Sequence, residues 1–252
     1  LLLGGGSNLL VSDAGVRGLV VHNQTGRMIF DSSRREGEIK PLLGMHLVVA
    51  DSGFSTIMLV RRCIKRGLGG MEWAIGVPGT IGGAVVGNAG AHGSDMASVV
   101  AWVDVSTPEG DARWTNADLR FEYRSSVIKR ERRKCVILAV GLALMEASSL
   151  ELQRRAAGFT ERRKATQPPG ATMGSMFKNP PDDYAGRLIE AVGLKGFRCG
   201  DAQISDMHAN FFLNLGGATA SDVKALVDEA RERVLERFGV MLELEVELVG
   251  DW

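Results

Sequence analysis

The stretch Gly70-Met71-Glu72-Trp73-Ala74-Ile75-Gly76-Val77-Pro78-Gly79-Thr80-Ile81-Gly82-Gly83-Ala84, followed closely by Asn88-Ala89-Gly90, decides how this chain is read. Small residues at this density let a backbone lie flat against a large planar ligand. Thr80 and Asn88 bring polar groups to such a ligand's edges. Residues 74–93 are too rich in glycine for regular elements, so a long functional loop or a tight wrap is expected. A second cluster, Gly4-Gly5-Gly6-Ser7-Asn8, follows the apolar Leu1-Leu2-Leu3. Consecutive glycines aim several backbone N–H groups inward and make a nest for phosphate, with side-chain donors added by Ser7 and Asn8. It is not a GxGxxG fingerprint, because no helical pattern follows it. Alone, the cluster is as well explained by a tight turn.

The rest of the sequence sets bounds. With 252 residues, 45% apolar and 24% charged, the chain is long enough for one large or two modest domains with sizeable cores. Thirty basic and thirty acidic residues give a formal net charge of zero, which offers no support for nucleic-acid or membrane-surface binding. Cys63, Cys135 and Cys199 are odd in number and far apart, so neither a disulfide framework nor a metal site is expected, and a reducing compartment is. No apolar run reaches the roughly 18 residues of a membrane span. The chain opens on Leu1 inside an apolar run, which reads as a truncated start.

Periodicity predicts strands at residues 1–3, 19–21, 28–30, 46–50, 99–105, 136–144, 209–215 and 242–249. It predicts helices at 55–65, 150–164 with Ser148-Ser149 as cap, 183–192, and 221–238 between Ser221 and Gly239. A domain boundary is expected near 146, dividing residues 1–145 from residues 146–252.

The pattern G-x-E-x-x-x-G-x-P-G-T-x-G-G-A with NAG after it, together with LLGGGSNLLVSDAGVRGLVV, resembles the UDP-N-acetylenolpyruvoylglucosamine reductase (UDP-N-acetylmuramate dehydrogenase) family. Three further strings extend the likeness over essentially the whole chain. Phe121-Glu122-Tyr123-Arg124-Ser125-Ser126 is similar to F-x-Y-R-x-S. Gly174-Ser175-Met176-Phe177-Lys178-Asn179-Pro180 is similar to G-S-x-F-K-N-P, and Leu242-Glu243-Leu244-Glu245-Val246 is similar to the last strand.

The resemblance implies an α+β fold: an FAD-binding domain of the vanillyl-alcohol-oxidase/PCMH type without its N-terminal lobe, then a small α+β substrate-binding domain. It implies FAD as cofactor and NADPH as reductant. The substrate is a small UDP-sugar, whose enolpyruvyl ether becomes UDP-N-acetylmuramate during peptidoglycan precursor synthesis in the cytoplasm. A monomer is expected. The flavin contacts implied are Gly4, Gly5, Gly6, Ser7, Asn8 and Leu9 in the first turn, and Pro78, Gly79, Thr80, Gly82, Gly83, Ala84, Asn88 and Gly90 in the second string. Arg124 is implied to stabilise charge on the substrate carboxylate, Ser175 to donate the proton, and Glu245, protonated, to add a hydrogen bond to the developing dianion. Softer substrate candidates are Lys178, Asn179, Tyr184, Arg187, Gln203, His208 and Asn210.

Taken singly, these residues have plainer readings. Arg124 is a surface charge near Lys129 and Arg130, Ser175 a turn serine, and Glu245 the wet face of a strand shared with Glu243 and Glu247. The order of the strings outweighs those readings. His92 stands where the family commonly has tyrosine, Leu244 replaces a common proline, and Gly87 occupies an often bulkier position. The short stretch from Arg124 to Ser175 matches the branch without a tyrosine-bearing loop. Two rivals stay open: another FAD-dependent oxidase of the same superfamily, and a flavin-free remnant with a binding role.

Overall fold

The computed structural model describes residues 1–31 and 45–252, which divide into two compact units. The first holds Leu1–Gly5 and Val20–Glu161; the second holds Gly6–Leu19 and Arg162–Trp252. The chain therefore passes into the second unit within the glycine turn, leaves it after Leu19, and returns after Glu161. The helix expected to open the substrate domain, Ser149–Thr166, lies in the first unit as far as Glu161.

The first unit is built on an antiparallel sheet ordered Gly110–Thr115, Val100–Thr107, Val136–Glu146, Met45–Asp51, Met28–Asp31, with Leu68–Gly69 pairing the end of Val136–Glu146. Val48, Val103, Val105, Val140, Leu142 and Leu144 bury completely in one core with Leu59, Val60 and Ile81 from two helices. The long strand Val136–Glu146 breaks strict alternation through register shifts at Ile137/Ala139 and Gly141/Leu142. Gly141 is needed there, since a Cβ would lie 2.3 Å from the Trp102 indole.

The stretch 74–93 departs from the expected structureless loop. Ile81–Val86 is a helix, with Thr80 as its N-cap accepting from Gly83 N. Its many glycines serve close packing: a Cβ on Gly82 would sit 2.8 Å from Ser52 Cβ, and Gly82 N donates to Ser52 O at 2.8 Å. Glycine weakens a helix intrinsically, so composition argued against an element that burial and a cap stabilise. The hairpin strand Gly110–Thr115 was also missed; its first four residues are exposed and carry little apolar signal.

The second unit has a four-stranded antiparallel sheet, Ala171–Ser175, Phe211–Asn214, Ala202–Ile204 and Arg198–Cys199. Helices Ala185–Ala191 and Ala220–Phe238 supply Leu188, Ile189, Leu226, Val227, Ala230 and Val234 to its core, all at most 1% exposed. Of the strand expected over 242–249, Glu247–Val249 pairs in parallel with Leu9–Val11, and Leu244 bridges Phe177.

The long helix is capped by Thr219, not Ser221, and Asp222 completes a capping box; Gly239 ends it in the left-handed region at φ 67°. Ser221 instead donates to Asp13 at 2.6 Å, and Ala220 N and Ser221 N donate to the same carboxylate. The Ser221 hydroxyl, then these two amides, hold the Asp13 carboxyl below its ordinary 3.8. A depressed carboxyl pKa contributes stability that is present above the unfolded value and lost as pH falls through the folded one. Asp13→Asn is therefore expected to lower the urea midpoint at neutral pH. The gap from wild type should narrow as pH falls below the ordinary carboxyl value of 3.8 and towards the lower folded one; a gap that does not change on acidification would refute the assignment.

Candidate active site

In the first unit, Gly4 and Gly5 lie against the second glycine string. A Cβ on Gly5 would be 2.8 Å from Gly79 Cα, and one on Gly4 would be 2.5 Å from Thr80 Oγ1. Two backbones thus meet with no side chain between them, beside an open cleft of about 390 Å³ lined by Gly4, Gly5, Thr80, Ser55, Phe54 and Arg62, among others. The guanidinium of Arg62 lies 5.0 Å from the Phe54 ring centroid. Bare backbone, hydroxyls, a cation and an aromatic face suit a dinucleotide with its diphosphate, so the residues present fit FAD.

Sequence reasoning missed the turn His22–Gly26, which also lines this cleft. The signal for it is the polar run Asn23-Gln24-Thr25-Gly26. Asn23 donates to Ser52 Oγ at 2.8 Å and accepts from Thr25 N at 3.1 Å, folding the turn over the strand end. Because Gly79 Cα is backbone, Gly5→Ala cannot be relieved by a rotamer change. Overpacking of this kind costs about 1–3 kcal/mol, so FAD retention is expected to fall about tenfold or more. The flavin-to-protein absorbance ratio after dialysis checks it; full retention would remove Gly5 from the site.

Asn88 was expected to reach a ligand edge. It is 2% exposed, and both amide hydrogens go into the protein: to Asp95 Oδ2 at 3.0 Å and to Glu122 O at 2.9 Å, while its oxygen accepts from Ala97 N at 3.0 Å. Through Glu122 it fastens the tight turn that carries Arg124, where Glu122 and Ser125 exchange backbone hydrogen bonds at 2.9 and 3.1 Å. Ser126 adds a hydrogen bond to Val86 O at 2.7 Å. Arg124 is half-buried with φ 55°, a left-handed conformation uncommon for a side-chain-bearing residue and frequent at functional positions. Gly90 gives its guanidinium room, since a Cβ there would lie 2.9 Å from Arg124 Nη1. His92, in the same glycine-rich segment, stacks on Phe159 with centroids 4.5 Å apart.

Glu72 is a buried acid the chemistry did not assign. It accepts from Gly70 N at 2.5 Å and faces Arg155 at 3.6 Å, tying the start of the string to the helix Ser149–Thr166.

In the second unit, Ser175 ends its strand opposite Phe211. Met176 N donates to Asn210 O, Glu245 N donates to Met176 O at 2.9 Å, and Lys178 N donates to Glu243 O at 2.8 Å. Ser175 and Glu245 are thereby held on adjoining segments. Glu245 is half-buried while Glu243 and Glu247 are exposed, which separates it from the wet face. Asn210, a substrate candidate, is 3% exposed and clamps Phe177 with both ends of its amide, at 2.9 and 2.8 Å. Lys178 pairs with Glu243 at 3.1 Å.

The other candidates lie along the same unit. Asn179 accepts from Ala185 N at 3.1 Å, at the start of the helix Ala185–Ala191, where Tyr184 is the N-cap and 69% exposed. Arg187 forms a fork with Asp183, whose carboxyl is held down to about 2 first by that guanidinium and then by Tyr184 N. Gln203 donates to Gly196 O at 3.2 Å. His208 accepts from Asn210 N at 3.2 Å, and burial pushes its pKa down. A Cβ on Gly186 would be 2.9 Å from the His208 ring, so this histidine is packed into its own unit. Leu9 is in the parallel pair with Glu247–Val249, and Asn8 donates to Glu245 O at 3.0 Å.

Two family profiles match the chain: the FAD binding domain over residues 1–116, and the UDP-N-acetylenolpyruvoylglucosamine reductase C-terminal domain over residues 165–249. A UDP-N-acetylenolpyruvoylglucosamine reductase 2 of Symbiobacterium thermophilum is 46% identical over 99% of this chain and 77% of its own length.

The chain belongs to the UDP-N-acetylenolpyruvoylglucosamine reductase family.

The family's Bacillus subtilis reductase is 39% identical over 99% of this chain and 79% of its length. The crystal structure of the reductase from Thermus caldophilus matches with a TM-score of 0.80 and 38% identity, over 99% of this chain and 85% of that one. Membership of this family makes the chain an FAD-dependent oxidoreductase with the expected α+β architecture. Among the described residues, no helix is long and apolar enough to cross a membrane.

Proposed function

We propose that this chain reduces UDP-N-acetylglucosamine enolpyruvate to UDP-N-acetylmuramate, with NADPH as electron source, as a cytoplasmic monomer in peptidoglycan precursor synthesis. Family membership supports the reaction, and the observation that carries the residue roles is the hydrogen bond from Glu245 N to Met176 O, the neighbour of Ser175. FAD, which Gly4, Gly5 and Thr80 would hold, would when bound and reduced provide hydride chemistry at the enolpyruvyl double bond. The displaced electron pair moves to the neighbouring carbon and into its carboxylate.

Arg124 meets that charge. A guanidinium fork matches carboxylate geometry and does not lose its proton. Its left-handed turn, fixed by Asn88 and Ser126, predefines the approach. Glu245 in its acid form adds a second hydrogen bond to the charge as it builds. Ser175 delivers the proton to the carbon next to the carboxylate, forming the new C–H bond there. A serine hydroxyl is a weak acid, so this step depends on Arg124 and Glu245 lowering the cost of charge before the proton moves. Lys178, the Tyr184–Arg187 segment and Gln203 are proposed contacts for the UDP-sugar.

Anaerobic rapid mixing tests the scheme by separating its half-reactions. NADPH is expected to bleach the flavin absorbance, and the enolpyruvyl sugar to restore it; failure of the sugar to reoxidise the flavin would sink the assignment.

A further inference from the structure

Residues 9–11 and 247–249 form a parallel ladder, and the position just before its first rung continues it with a substituted donor. The register Leu9↔Glu247 places Asn8 opposite Val246. In a parallel pair, every second residue of a strand accepts from the N–H one place beyond its partner and donates its own N–H to the carbonyl one place before it; Asn8 and Ser12 stand at such positions, Ser12 N donating to Val249 O. Asn8 meets the first half: its carbonyl accepts from Glu247 N at 3.0 Å. The second half falls at Glu245 O, and there the donor is the Asn8 side-chain amide, Nδ2, at 3.0 Å.

We propose that Asn8 is a positioning residue for Glu245. Its side chain fills the rung that its own backbone N–H would fill, fixing the acid's backbone and leaving that N–H to the phosphate-binding turn. The bond spans 237 residues of sequence and reaches the amino acid whose own N–H holds Met176, the neighbour of Ser175. One amide thus serves the flavin turn, the acid and the proton donor. Aspartate or serine at position 8 would suit a turn equally well; only a side chain with an N–H of this length completes the ladder.

The inference rests on the reading of Glu245 given above, and its test separates the two. Asn8→Asp keeps size and removes the donor; Asn8→Ala removes the side chain and serves as the second variant. Deuterium exchange of the peptide spanning 242–249, read by mass spectrometry with and without added FAD, is expected to accelerate about tenfold in both variants. In flavin-saturated enzyme, reoxidation by the enolpyruvyl sugar should slow about tenfold or more, with reduction by NADPH changed less than about threefold.

Unchanged exchange at 242–249 in both variants would overturn the proposal. So would weakened FAD binding with an unchanged reoxidation rate at saturating FAD, which makes Asn8 a cofactor contact only. Glu245→Gln runs in parallel: normal reoxidation in that variant would remove the role of Glu245, while the exchange data would still decide the rung.

Discussion

Ser175→Ala is expected to leave reduction of the flavin by NADPH within about threefold of wild type, and to slow reoxidation by the enolpyruvyl sugar about 10³-fold. The asymmetry follows from where the hydroxyl acts. Nicotinamide needs no proton from this serine, whereas the carbon beside the substrate carboxylate does. The substitution should be locally silent, because the backbone around it is tied independently of the hydroxyl: Met176 N to Asn210 O, Phe177 N to Asn210 Oδ1, and Glu245 N to Met176 O. Ser175→Cys restores an acidic hydrogen at nearly the same place and should recover part of the rate. Equal slowing of both half-reactions would point to a damaged flavin site, and two fast half-reactions would end the role of Ser175.

Arg124→Lys should be almost as severe. It keeps the charge and exchanges a two-pronged donor for a single ammonium, and loss of such a preorganised donor costs about 10²–10³ in turnover. The backbone comparison is fair, since both residues meet the same left-handed torsion at position 124. Steady-state kcat with the enolpyruvyl sugar measures the effect, with flavin reduction as the internal control. Turnover near wild type would return Arg124 to the surface-charge reading.

What could be read from the sequence divides along physical lines. Helices with a full apolar stripe, Thr56–Lys65 and Ala220–Phe238, were legible because their burial repeats with the helical period. The helix Ile81–Val86 was not, because it is stabilised by a cap and by contact with Ser52, whereas its composition spells a loop. Thr219 was passed over for Ser221 because both are good caps, and the choice depends on Asp13, more than two hundred residues earlier.

The same holds for the site. Glycine strings announced the backbone approach of Gly5 to Gly79, but not the Asn23–Gly26 turn beside it. Asn88, Asn8 and Asn210 are ligand candidates on the strength of the motifs that hold them. In the fold each spends amide hydrogens on a backbone carbonyl, at Glu122, Glu245 and Phe177 respectively. Such partners are long-range and leave no trace in local spacing.

The excursion of Gly6–Leu19 into the second unit has a consequence for synthesis. Leu9–Val11 leaves the ribosome more than two hundred residues before its partner Glu247–Val249. The early strand therefore waits for that partner while the described strands of the first unit's sheet, between Met28 and Glu146, are already made. Closing so long a loop is entropically costly and slow. Assembly of the Glu245 segment thus follows that of the first unit's sheet, and a nascent chain halted before residue 247 has made every described strand of that sheet but not the partner of Leu9–Val11.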